Sequence, residues 1–248
     1  MPLNPVIALA QIKYFTKGKS DNLEKIAKFI RLAKKAKADI VCFPESCIKK
    51  RGSLRLSDKA VKDIRSECKK NSIWCIITDD FRLDGAKYNM SAIIGRDGKI
   101  KGKYKKISLY GDNVCPGNHA RVFETDFAKI GIAICWDITN PGLFTAMRNK
   151  GAEIVFCPSQ WNYDFESHKS RHRHNETQIL RALLLARAHE HVFYVALCNP
   201  LMDSKTQVSY SAIASPHKIL KELAGKEGII TAEVNLKEIK RFRKFYSK

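Results

Sequence analysis

Lys129-Ile130-Gly131-Ile132-Ala133-Ile134-Cys135-Trp136-Asp137 is the stretch on which the fold class turns. In extended backbone successive side chains alternate between faces, so Ile130, Ile132 and Ile134 line one side and Gly131, Ala133 and Cys135 the other. One face is bulky and one is small. That pattern predicts a strand over 130–135 packed on both sides, with a close approach on the small side. Strand-like segments at 6–11, 40–43, 73–78, 89–94 and 100–104 precede it, the last two joined by an Arg96-Asp97-Gly98-Lys99 turn. Between them a helix carries Leu23, Ile26, Ala27, Ile30 and Ala33 on one face, with a capping-box-like start at Asp21-Asn22-Leu23-Glu24. A second helix is expected over 58–70. Downstream the alternation continues: helix 142–149, strand 153–157, helix 176–189, strand 192–197, then closing strands at 207–214 and 229–234. Strands alternating with helices predict an α/β protein whose sheets are covered by helices.

Composition narrows the class further. The chain has 248 residues, 44% apolar and 28% charged, which excludes collagen-like and disordered chains and predicts one domain over 1–248. No apolar run approaches the ~20 residues that span a bilayer. Met1-Pro2-Leu3-Asn4-Pro5 lacks the basic flank and apolar stretch of a signal peptide, so a cytoplasmic location is expected. The eight cysteines contain no C-x-x-C pair, and no disulfide framework or zinc site is expected. Forty-five Lys plus Arg against twenty-five Asp plus Glu give a net charge of +20. The excess is spread along the chain with few interleaved aromatics, which reads as a solvated surface rather than a single-strand nucleic-acid platform.

Three apolar strands end in a reactive group: Phe43-Pro44-Glu45, Tyr104-Lys105-Lys106 and Ile134-Cys135-Trp136-Asp137. Each alone has a bland reading, as a cap or surface acid, a solvated lysine pair, and a small buried hydrophobe. In this order they resemble the Glu–Lys–Cys pattern of the nitrilase superfamily of carbon–nitrogen hydrolases. Pro116-Gly117, Gly151-Ala152-Glu153 through Pro158-Ser159-Gln160-Trp161, and Arg187-Ala188-His189-Glu190 with the strand ending at Asn199 extend the similarity over nearly the whole chain. The chain departs from the pattern at Ser108, where the family has His, and at His191, where it has Asn. It also has Asp112 where a second Glu is common. Ile138-Thr139-Asn140 lacks the arginine common in carbamoylases.

The resemblance implies a four-layer α-β-β-α sandwich, pairing as homodimers or higher homo-oligomers, with no cofactor, metal or membrane partner. It implies catalysis by Glu45, Lys106 and Cys135. A thiol with pKa near ~8.5 is mostly protonated at neutral pH and needs a base. Glu45 would shuttle the proton, Lys106 would hold the oxyanion with the Trp136 backbone N–H, and Cys135 would form a thioester. Asp112, Trp136, Trp161 and Asn199 are the expected substrate contacts. The expected activity is hydrolysis of a small linear amide. Nitrile or N-carbamoyl substrates are alternatives within the superfamily, and a non-catalytic basic nucleic-acid-associated protein is the alternative outside it. Basic loops at 49–57 and 167–175 suggest an anionic substrate such as a dicarboxylic acid monoamide. His168 and His172 share a helical face as metal ligands do, but Lys169, Arg171 and Arg173 would repel a cation.

Overall fold

In the computed structural model, which describes residues 4–15, 18–163, 173–202 and 206–246, the alternating pattern resolves into two stacked sheets. In chain order the elements are β1 (Val6–Gln11), α1 (Leu23–Lys35), β2 (Ile40–Cys42), α2 (Lys59–Asn71), β3 (Trp74–Leu83), β4 (Ala86–Ile94), β5 (Ile100–Lys105), β6 (Val122–Glu124) and β7 (Lys129–Ile132). A 3-10 turn (Cys135–Thr139) follows, then α3 (Pro141–Asn149), β8 (Ile154–Pro158), α4 (Arg173–His191), β9 (Tyr194–Cys198), β10 (Tyr210–Ala214), β11 (Ile219–Ala224), β12 (Gly228–Glu233) and α5 (Leu236–Tyr246). The first sheet runs β12-β1-β2-β3-β4-β5 and the second β11-β10-β9-β8-β7-β6. Each has a parallel centre, β1-β2-β3 and β7-β8-β9, flanked by antiparallel strands.

Strand alternation sorts the layers. On the first sheet Ala8, Ala10, Val41, Cys75 and Ile77 share a core with Ile26, Phe29, Ile30 and Ala33 of α1 and Val61, Ile64 and Cys68 of α2. Their sequence neighbours Ile7, Leu9, Ile40, Cys42 and Ile76 point the other way, into a second core with the strands of the second sheet and the helices α3 and α4. A one-residue shift would exchange these two sets, so the two cores fix the register of β1, β2 and β3 together. Burial of each large aliphatic side chain contributes roughly 1.5–3 kcal/mol. The expected four-layer α-β-β-α sandwich is what forms.

Local details differ from expectation. The α1 start carries no capping box. The Asn22 side chain instead accepts from the Phe15 N–H at 3.1 Å and donates to the Cys47 carbonyl at 3.0 Å, while Asp21 Oδ1 accepts from the Leu23 N–H. β3 and β4 are longer than expected because Asp84 and Gly85, at φ of 51° and 81°, close a hairpin between them. Such Asp-Gly pairs tolerate two consecutive positive φ values. The segments 122–124, 219–224 and 236–246 form β6, β11 and α5, which local periodicity had not indicated. All eight cysteines are free, and only Cys115 is exposed. Among the described residues no helix is long and apolar enough to cross a membrane.

The strand around Gly131 is shorter than 130–135. It ends at Ile132, and Cys135 opens the following turn. The close approach on its small face is present: a β-carbon on Gly131 would lie 2.6 Å from Met147 Sδ of α3 and 3.2 Å from Val155 Cγ2. Gly131→Val should therefore overpack this layer and lower stability by about 1–3 kcal/mol, as measured by urea unfolding; an unchanged midpoint would show that α3 stands off the sheet.

Candidate active site

The sandwich brings the ends of β2, β5 and β7 to one place. Pro44 cannot continue a strand ladder. Beyond it the Glu45 N–H donates to the Ser159 carbonyl of the second sheet at 3.2 Å. Lys106 leaves β5 with its N–H on the Asn89 carbonyl at 2.9 Å, and its own carbonyl accepts from the Gly117 N–H at 2.6 Å. Any side chain at Gly117 would collide with the Lys105 carbonyl, which is why the turn after Pro116 needs glycine. Cys135 sits at φ +47°, a left-handed conformation unusual for a non-glycine residue. Such conformations cost about 1–3 kcal/mol and persist where surrounding contacts impose them.

The contact that imposes it is Asp137. Its buried carboxylate accepts from four donors: the N–H of Ile134 at 2.9 Å, the N–H of Ser108 at 2.7 Å, the N–H of Ile107 at 3.2 Å and the Tyr104 hydroxyl at 2.7 Å. One side chain thus ties the turn of Cys135 to the segment following Lys106.

The Lys106 ammonium lies 3.0 Å from Glu45 Oε1 and 2.9 Å from Asp112 Oδ2, with Lys106 only 2% exposed. Asn89 Nδ2 donates to Glu45 Oε1 at 2.8 Å and the Gln160 N–H to Glu45 Oε2 at 3.0 Å. The Tyr14 hydroxyl donates to the Glu45 carbonyl. Burial raises the proton affinity of the Glu45 carboxyl, and the ammonium beside it offsets this only partly. For Lys106 burial works against the charge, but Glu45, Cys135 and Asp112 outweigh it and hold the pKa above the ordinary lysine value. The Cys135 thiol is pushed well up, first by burial and then by Glu45, with Lys106 acting in the opposite direction.

Glu45, Lys106, Cys135, Asp112, Trp136 and Trp161 all line one cavity of about 600 Å³. Trp136 lies between Tyr110 and Trp161, at ring-centroid distances of 4.6 and 5.2 Å. Asn199 does not line the cavity. It is wholly buried beneath it, where Oδ1 accepts from the Trp161 N–H at 3.0 Å and Nδ2 donates to the Tyr210 carbonyl at 2.8 Å. It braces the backbone of Trp161 from behind rather than facing the cavity. Asn89, Asp137 and the Gln160 backbone are contributors that the sequence reading did not assign. Asp137 stood inside the quoted motif, whereas Asn89 carried no local signal and Gln160 acts through its N–H. His168 and His172 lie outside the described residues. Among those described, no group of His, Cys, Asp or Glu is arranged to hold a metal.

The carbon–nitrogen hydrolase family profile matches residues 6–244. The chain belongs to this family. It is thus a carbon–nitrogen hydrolase. The omega-amidase NIT2-A of Xenopus laevis is 27% identical, over 91% of this chain and 87% of that protein. The crystal structure of Saccharomyces cerevisiae Nit3, a member of branch 10 of the nitrilase superfamily, superposes at TM-score 0.82 with 25% identity, covering 98% of this hydrolase and 94% of Nit3. A mutant amidase from Nesterenkonia sp. AN1, with the acetamide moiety of fluoroacetamide added covalently at its active site cysteine, superposes at TM-score 0.79 with 19% identity, covering 98% and 94%.

Asp137→Asn would leave one acceptor oxygen for four donors and turn an NH₂ toward N–H groups. A stability loss of about 2–4 kcal/mol is expected in urea unfolding, and an unaltered midpoint would show that the carboxylate does not hold the turn.

Proposed function

We propose that this hydrolase cleaves the C–N bond of a small linear amide through a thioester on Cys135. The observation that carries the reading is the Lys106 ammonium held between Glu45 Oε1 and Asp112 Oδ2 in the cavity that Cys135 lines. A buried cation fixed by two carboxylates is costly unless its charge is used or fully paired, and here it stands beside a nucleophile and a proton acceptor.

Glu45 takes the thiol proton as Cys135 sulfur attacks the amide carbon. The oxyanion that forms is stabilised by the Lys106 ammonium. Glu45 then gives its proton to the departing nitrogen, the C–N bond breaks and ammonia leaves. Glu45 next takes a proton from water, whose oxygen attacks the thioester. Collapse of that adduct breaks the C–S bond and returns the proton to sulfur, releasing the carboxylic acid. The raised proton affinity of Glu45 suits a group that must both accept and donate near neutral pH. Asp112 supplies the second carboxylate on the Lys106 ammonium. Trp136 and Trp161 wall the space for the acyl group. Omega-amidase relatives and the cysteine chemistry of the Nesterenkonia amidase agree with an amide substrate.

A panel of amides, nitriles and ureido acids assayed for ammonia tests the reading, and amides are expected to be turned over best. Cys135→Ala should abolish turnover, and Glu45→Gln should lower it by roughly 10²–10⁴-fold; retained amidase activity in either variant rejects the scheme. Because Glu45 acts first as a base and its carboxyl pKa is raised, kcat/KM should fall as pH drops through a value above the ~4.3 of an ordinary glutamate. A profile flat down to that value would contradict the role.

A further inference from the structure

Asn89 of β4 touches both Glu45 and Lys106. Only 3% exposed, it accepts the Lys106 N–H on its backbone carbonyl at 2.9 Å and donates Nδ2 to Glu45 Oε1 at 2.8 Å. Lys106 Nζ donates to that same oxygen at 3.0 Å. Both lone pairs of Oε1 are thereby committed. Glu45 Oε2 receives the Gln160 N–H at 3.0 Å and keeps a second lone pair. The same N–H also hydrogen-bonds the Cys135 sulfur and eases its ionisation, so the sulfur stands on the Oε2 side. The Asn89 amide is held in this orientation at a cost. Its Oδ1 is buried and accepts from no described group, an unmade bond that destabilises the folded chain. Turning the amide over would set Oδ1 against a carboxylate oxygen, acceptor against acceptor. The charge on Glu45 therefore chooses the orientation.

Resting on the amidase reading above, we infer that Asn89 is a positioning residue that confines the shuttled proton to Oε2 of Glu45. The S–H bond of Cys135 breaks, and its electron pair stays on sulfur for attack on the amide carbon. The proton bonds to the open lone pair of Oε2 and passes from there to the departing nitrogen. Without Nδ2 a lone pair opens on Oε1, and a proton held there lies away from the sulfur. Nδ2 also favours the ionised carboxyl, against the burial that raises its proton affinity. Asn89 acts on the reaction through Glu45 alone.

Asn89→Leu removes both amide atoms, and Asn89→Asp replaces only the donor by an acceptor. Each should lower kcat on an amide by about ten- to a hundredfold, with KM held within about twofold. The acid limb of kcat/KM should move up by about one pH unit or more, because Glu45 must be ionised to act and has lost a donor to its charged form. Lys106, Asp112 and Cys135 also act on that carboxyl, Tyr14 holds its carbonyl, and Asp80 stands across from Asn89 on β3. Both variants retain all five. A merely structural asparagine would lower the urea midpoint and leave the limb in place. An unmoved limb in Asn89→Asp overturns the inference and leaves the amidase reading intact, and this variant decides if Asn89→Leu fails to fold. Alkylation of Cys135 by iodoacetamide, followed against pH as the modified peptide, reads the same proton transfer without turnover. A limb that moves up in that measurement while no amide is hydrolysed supports the role of Asn89 and rejects the amidase chemistry.

Discussion

The carboxylate of Asp137 is the constraint on which the geometry of the site rests. It is sealed from water and faces four donors drawn from three places, the end of β5, the segment beyond Lys106, and the residue before Cys135. Burial raises the cost of its charge, and the N–H groups of Ile134 and Ser108 together with the Tyr104 hydroxyl lower it. A buried acid with every lone pair committed has one low-energy arrangement of its neighbours. That arrangement fixes the left-handed backbone of Cys135 and positions the loop of Lys106 in the same stroke.

A second buried ion completes the site from the other side. Lys106 draws Glu45, at the end of a central strand of the first sheet, and Asp112, in the loop after β5, onto one nitrogen. The two systems are coupled through a single short segment: Lys106 belongs to one, and Ile107 and Ser108 to the other. Charge density of this kind inside a sandwich is retained because each member is paired, and removal of one partner strands the rest.

Much of this was legible in the residues. Alternating periodicity announced the helix-covered sheets, and the strand ends marked by Glu45, Lys106 and Cys135 come to line one cavity. What escaped was decided by contacts distant in sequence. β6 and β11 are short edge strands, defined by their neighbours more than by their own pattern. Apolar alternation carried the strand reading on to Cys135, but the Asp137 hydrogen bonds turn the backbone earlier. Asn199 stands at the end of a strand, as binding residues do, and its amide bonds the Trp161 N–H and the Tyr210 carbonyl, residues far from it in sequence or across the hairpin.

Glu45 and Lys106 hang from one sheet while Cys135 and the Gln160 N–H hang from the other, and Glu45 itself is hydrogen-bonded across the divide to Ser159 and Gln160. Neither sheet alone gathers these groups. Because β12, from the last part of the chain, pairs with β1 in the first sheet, the cavity between the layers is complete only once nearly the whole chain is in place.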